Sequence, residues 1–552
     1  MPDPVEAGQQ ALRAADWRAA RTLFGRALEQ ADRPEARDGL GLALWWLNQV
    51  AASHEQRALA YAAFKRDGDL ATAARIAAWL AREQIFLHAS ASGMNGWFAR
   101  AERLLSELGP CRERGWYLIY RASLLSPPEE TLRVVDQILA IARVFRDADL
   151  EAFALAYAGS AQIALGRVAN GMTALDEAMA MATGGEVDDY HVVSEIFCVM
   201  LSACELAGDL ERADHWCRTG AEYAARRHCP FLAAYCRTTY GGLLATAGRW
   251  PAAEEELLGA IHAFEQGHRA LKVHATIKLA DLRVSQGRLE EAAALLAGYE
   301  DHGAAAVPLA RLHLARHEID LARAVLAGAL ATSDPPTLHR APLLLTLVDA
   351  LLAAGDLTGA SDAAAELALL AQQSGSDLLL AQAELAEGNI RRAAGDADAS
   401  AHFQAALARL RAHQQSLLAG RARLGIARNL VDTDRAGAIT WAQAALATFE
   451  RLGAASDANE ASELLRRLGA TGRSAPRLAG NLTAREQEVL DLIGCGLSNR
   501  EIAERLFITP KTAEHHVSQI LGKLGARTRS EAVALALNQG ERVAEPAPRP
   551  ER

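Results

Sequence analysis

The sequence predicts an all-α protein in two parts: an α-solenoid of short helix pairs over residues 1–470, then a compact four-helix domain containing a helix-turn-helix over residues 481–540. Three observations predict this. Glycine-marked turns recur about every forty residues. Helix-start spacings cluster in the last seventy residues. Strand-like alternation is nearly absent from a chain rich in alanine, leucine and arginine in which only 5% of residues are aromatic.

The solenoid is written in its turns. Gly208-Asp209-Leu210, Gly248-Arg249-Trp250, Gly287-Arg288-Leu289 and Gly355-Asp356-Leu357 each separate two Ala-rich amphipathic stretches. Gly68-Asp69, Gly166-Arg167 and Gly395-Asp396 repeat the pattern, and a degenerate copy near His317 fills the gap after Gly287. Glycine supplies the left-handed backbone that ends the first helix. A fixed period of this length signals stacked helix pairs, none of which buries its apolar face alone. The run resembles tetratricopeptide repeats in a longer form. A segment lacking apolar periodicity, residues 471–480, reads as a flexible linker. Residues 541–552, with three prolines, read as a disordered tail.

Four helix starts follow. Thr483 with Glu486, Ser498 with Glu501 and Thr528 with Glu531 have the capping-box spacing, in which hydroxyl and carboxylate satisfy free N–H groups at a helix start. Thr509-Pro510 is an N-cap followed by proline at the first helical position. The helix from Ser498 buries Ile502, Ala503 and Leu506. The helix after Thr509 buries Ala513, Val517, Ile520, Leu521 and Leu524, one stripe at helical spacing. Its other face carries Lys511, Thr512, Glu514, His515, Ser518, Gln519 and Lys523. Two helices joined by the short Phe507-Ile508 connection, the second polar at its start, have the pattern of a helix-turn-helix.

These residues resemble the C-terminal DNA-binding domain of LuxR-type (GerE-like) transcription regulators. The likeness runs from Leu482-Thr483-Ala484-Arg485-Glu486 through Ser498-Asn499-Arg500-Glu501-Ile502-Ala503 and Lys511-Thr512 to Lys523-Leu524-Gly525 and Arg529-Ser530-Glu531-Ala532. The resemblance implies double-stranded DNA as partner, with Glu514, His515 and Ser518 toward bases. It places Asn499, Lys511, Thr512, Gln519 and Lys523 toward phosphates. A homodimer on DNA is implied, with a dimer face on the last helix at Ala532, Val533 and Ala536. The chain departs from the family at Ala513, often valine, and Glu514, often lysine. A glutamate is repelled by phosphate but accepts a hydrogen bond from cytosine N4, so the departure concerns the target sequence. Residues 481–540 hold seven basic and seven acidic residues, so a single domain lacks a basic footprint and strong binding calls for two.

The arrangement also resembles large regulators of the MalT type, whose helical sensor region precedes a LuxR-type domain. Those carry a nucleotide-binding domain in front. This sequence has no G-x-x-x-x-G-K-[ST], and it holds only five lysines. The helical part is therefore expected to sense a protein, peptide or small molecule. The alternative is an interaction scaffold whose C-terminal domain does not bind DNA.

Other classes are not expected. The net charge of −10 gives the whole molecule no general attraction for nucleic acid. The opening MPDPVEAGQQ lacks the basic and apolar regions of a signal peptide, and the apolar stretch from Ala341 to Ala354 is too short to span a bilayer. A cytoplasmic protein with no membrane contact is expected, nucleoid-associated when bound to DNA, and the use of arginine over lysine with abundant alanine suggests a bacterial source. Cys198, Cys204, Cys217, Cys229 and Cys236 cluster with His215 and His228, but no C-x-x-C pair appears; buried packing is expected, with thiol or metal sensing as the alternative. Trp45-Trp46, Trp97 and Trp116-Tyr117 read as core, or otherwise as the lining of a ligand groove. No Ser/His/Asp set is visible, and no enzyme, cofactor or metal is expected.

Overall fold

The computed structural model describes residues 3–470 apart from 88–90, 227–229, 267–270, 334–336, 397 and 411–415, and further on 489–490, 492–493, 497–506 and 509–524. Contacts divide the chain into two units, Met1–Ala461 and Ser462–Arg552. The described residues are all-α, with no strand among them. The linker expected at 471–480 and the tail expected at 541–552 lie outside them.

Most helix pairs in the first unit turn through one left-handed residue; Arg112–Leu125 with Pro128–Phe145 and Leu417–Asn429 with Arg435–Leu452 turn without one. The helix Tyr190–Ala207 ends at Gly208, φ +74°. The N–H of Asp209 then donates to the Cys204 carbonyl at 2.9 Å and that of Gly208 to Glu205 at 3.2 Å. These bonds satisfy carbonyls left free at a helix end. Asp209 at once caps the next helix, its carboxylate accepting from the Arg212 N–H at 3.0 Å. Asp69 and Asp356 serve both roles in the same way. All seven glycines of the sequence pattern have positive φ. The degenerate copy is real: His317 takes the position at φ +61°, and Glu318 donates to the His313 carbonyl at 2.8 Å. Ala15, Asn48 and Arg146 hold the same conformation without glycine, and the sequence pattern misses those turns.

Small residues set how closely paired helices cross. Between Ala148–Ala164 and Val168–Gly184, a Cβ on Gly159 would lie 2.6 Å from the Gly171 carbonyl oxygen, and one on Gly171 2.5 Å from that of Gly159. First helices of successive pairs also touch each other, as Ala148–Ala164, Tyr190–Ala207, Pro230–Thr246 and Lys272–Ser285 do in order. Gly242 leaves room for the Lys278–Glu205 ion pair to pass across the helix between them.

The unit also winds back on itself. The Trp17 ring lies 5.4 Å from Tyr190, Ser376 Oγ donates to the Ala207 carbonyl at 2.8 Å, and a Cβ on Gly287 would touch Ala455 at 3.5 Å. Each contact spans roughly 170 residues, about four helix pairs by the forty-residue spacing.

The inner side of the N-terminal pairs is filled. Trp45, Trp116 and Tyr117 are buried, and Trp46 and Trp97 pack partly buried against the same core. Trp79 meets Trp45, Tyr120 and His191 edge-on, with the Arg57 guanidinium 4.8 Å from its ring centre. Its indole N–H donates to the fully buried Glu83 at 2.9 Å, which also accepts from Ser53. Arg82 pairs with Glu195 at 2.7 Å, and the Tyr157 hydroxyl donates to Glu195 at 2.6 Å. Among the described residues these aromatics pack into the core, Trp46 and Trp97 at its edge. Cys198, Cys204, Cys217 and Cys236 are buried free thiols. Burial pushes the Cys204 and Cys217 thiols well above their ordinary range. No group of three metal-ligating side chains occurs among the described residues. One described helix, Tyr190–Ala207, is long and apolar enough to cross a membrane by composition, and 72% of it is buried inside the protein.

Candidate nucleic-acid interface

Two described helices of the second unit, Asn499–Leu506 and Pro510–Leu524, pack on each other. The first is started by the expected capping box. Glu501 Oε2 accepts from the Ser498 N–H at 2.7 Å and from its hydroxyl at 2.6 Å, while the Glu501 N–H points back to Ser498 Oγ at 3.4 Å. Those hydrogen bonds hold the Glu501 carboxyl below its usual range. The second helix starts where Thr509-Pro510 places it, with Ala513 N–H donating to the Thr509 carbonyl at 3.0 Å. The boxes at Thr483–Glu486 and Thr528–Glu531 lie outside the described residues.

A small apolar core fixes the pair. Ile502, Ala503 and Leu506 from the first helix meet Ala513, Val517 and Ile520 from the second, over Val489, Leu490 and Ile493. Leu521 packs partly buried at its edge. Burying one stripe of the second helix turns the other outward: Lys511, Glu514, Ser518 and Gln519 are exposed. Asn499 is half-buried at the start of the first helix. Thr512, His515 and Lys523 fall on the second helix, but their side chains lie outside the described ones, as does that of Leu524. His516 is partly buried beside the stripe. The dimer-face residues Ala532, Val533 and Ala536 lie outside the described residues altogether.

The structure adds two residues that the sequence reading passed over. Arg500 and Arg505 are exposed on the helix that precedes the polar face. Their spacing of five residues along an amphipathic helix with buried Ile502 and Leu506 was the available signal. Among the described side chains of this helix pair, Arg500, Arg505 and Lys511 are exposed alongside Glu501 and Glu514, so the described surface is mixed in charge. Such a surface is expected to bind through geometry more than through bulk charge.

Residues 480–536 match the family model GerE, described as bacterial regulatory proteins of the luxR family. Over 63 residues the chain is 48% identical to the transcriptional regulatory protein LnrK of Bacillus subtilis, covering 11% of this chain and 29% of that one. It is 47% identical over 58 residues to the oxygen regulatory protein NreC of Staphylococcus aureus, covering 10% and 27%. A longer match, 36% over 88 residues, is to the putative HTH-type transcriptional regulator Rv0890c of Mycobacterium tuberculosis, covering 16% and 10%. The chain thus spans less than a third of the length of these relatives. A solved structure titled Crystal structure of APC/C hetero-tetramer Cut9-Hcn1 aligns over 84% of this chain and 95% of that one, at 13% identity and a TM-score of 0.37. The C-terminal part is a LuxR-type helix-turn-helix domain, preceded by an all-α helical region.

Proposed function

We propose that this chain is a sequence-specific DNA-binding transcription regulator whose tetratricopeptide-like solenoid receives a signal. The observation that carries the reading is the exposed polar face of Pro510–Leu524, held rigidly by its own buried stripe and lying inside the region matched to the luxR family. The helix enters the major groove with Glu514, His515 and Ser518 at base edges. Asn499, Lys511, Thr512, Gln519 and Lys523 hold phosphates and fix the register, joined by Arg500 and Arg505. A second copy on a two-fold site supplies the affinity that one electrically balanced domain lacks, with Ala532, Val533 and Ala536 at the contact.

The solenoid part of the reading rests on the repeated turn, which is the same at eight positions from Gly68 to Gly395. Its effector is a protein, peptide or small molecule taken from outside the filled N-terminal interior. Selection from a random duplex pool tests the DNA reading. Enrichment of a two-fold motif by the full chain supports it, and a pool that stays random through successive rounds contradicts it. In the latter case the helical unit is an interaction scaffold.

A further inference from the structure

The two described helices of the second unit start in opposite electrostatic states. Pro510–Leu524 has no acid in its first turn, and Lys511 stands exposed there. Asn499–Leu506 carries Glu501 in its first turn. That carboxylate is fixed in place: Oε2 accepts from the Ser498 N–H at 2.7 Å and from the Ser498 hydroxyl at 2.6 Å.

A helix start carries a partial positive charge and attracts anions, an internal carboxylate as well as a bound phosphate. Helix starts are among the groups with which proteins hold the phosphates of DNA. At the start of Asn499–Leu506 the protein's own carboxylate engages two of the donors, the N–H and hydroxyl of Ser498. The same hydrogen bonds hold the Glu501 carboxyl below its usual range, so it is charged at neutral pH. It is exposed, as is Arg500 before it. A phosphate held by Asn499 and Arg500 therefore comes close to a fixed negative charge on the next residue, and like charges repel.

We propose that Glu501 limits how tightly a single domain holds DNA, because the charge that caps its helix also repels the phosphate brought to that helix start. Stability of the helix and affinity of one copy are thereby set against each other at one residue. Keeping one copy weak makes occupancy of a site depend on a second. The inference rests on the DNA-binding reading above and adds to it a residue that opposes binding.

Two variants separate the cap from the charge. Glutamine serves in this capping spacing as glutamate does, so Glu501→Gln removes the charge and keeps the cap. Ser498→Ala removes the capping hydroxyl and keeps the charge. Both positions are exposed, so neither variant disturbs the core. Binding of the full chain to a random-sequence duplex is followed by fluorescence anisotropy across a salt series. Glu501→Gln is expected to bind about threefold more tightly than wild type at low salt, the effect of one unit charge roughly 6 Å from a phosphate in water. The gain is expected to shrink as salt rises. Ser498→Ala is expected to bind no more tightly than wild type. Equal affinity of Glu501→Gln and a DNA-binding wild type at every salt concentration overturns the inference and leaves the DNA-binding reading in place. The same gain in Ser498→Ala also overturns it, since loosening the helix start would then be the cause. A wild type that binds no duplex even at low salt overturns both.

Discussion

Glu514 and Lys511 stand one helical turn apart on the exposed face, and they are expected to fail differently. In the proposed complex Lys511 holds a phosphate, so Lys511→Ala is expected to weaken binding to all sequences alike and to lower the slope of affinity against salt by about one. Glu514→Ala removes a local negative charge and, in the same proposal, a base contact. Total affinity is expected to rise while discrimination at one base pair falls by about 1–3 kcal/mol, read by competition between duplexes that differ at that pair. At the same scale, His191 makes the fold sensitive to acid. Burial, reinforced by the Arg82 guanidinium, depresses its pKa to about 3, so the folded imidazole stays neutral. The unfolded chain takes up that proton near its ordinary value of about 6.5, so stability from this group is complete above that pH. It is lost as pH falls from there toward 3, by at most about 1.4 kcal/mol per pH unit. Against the burial that favours its neutral form, Arg82, His191 and Tyr157 hold Glu195 at about 2, and its contribution is lost as pH falls below the ordinary carboxylate range. Denaturant titrations from pH 7 to pH 4 are expected to show a shallower slope for His191→Phe than for wild type. Equal slopes would remove His191 from the explanation.

The helix-start and turn elements were the most legible part of the sequence, because each is made by side chains within five residues. The Ser498–Glu501 box and the Gly208-Asp209 turn both appear with the bonds their residue types require. Ala15, Asn48 and Arg146 escaped because no glycine marks their left-handed angle. The forty-residue period could not tell how the pairs wind, since the contacts that close the turns join residues roughly 170 apart and leave no periodic mark. The filled interior around Trp79 was illegible for the same reason. Its partners Arg57, Tyr120 and His191 come from three other helices. Two expected outcomes belong to this scale. Ser498→Ala removes the cap and is expected to cost about 1 kcal/mol of stability in the C-terminal domain, seen as a lower midpoint in its unfolding transition. Gly159→Val forces a side chain into the Gly171 carbonyl at the helix crossing. It is expected to cost about 1–3 kcal/mol by overpacking, and calorimetry that finds no loss would show that the crossing relaxes freely.

For the molecule as a whole, a long helical region precedes a short LuxR-type domain. In the function proposed above, the first receives the signal and the second reads DNA from a stretch, residues 481–540, that holds equal numbers of basic and acidic residues. Non-specific affinity of one copy is then expected to be low, and occupancy of a site to rise steeply with protein concentration as two copies meet on it. The C-terminal family likeness was legible in the sequence because a handful of residues at fixed spacing carry it. The signal is not readable in the same way, because helix pairs of this kind are defined by small residues and turns rather than by reactive groups. The central claim, that Pro510–Leu524 reads DNA sequence, is tested most directly by recovering genomic fragments with the purified full chain near physiological salt, beside a Lys511→Ala/His515→Ala variant. A small set of fragments that share a two-fold motif and disappear with the variant is the predicted result. Equal, salt-sensitive recovery of all fragments by both proteins would contradict it.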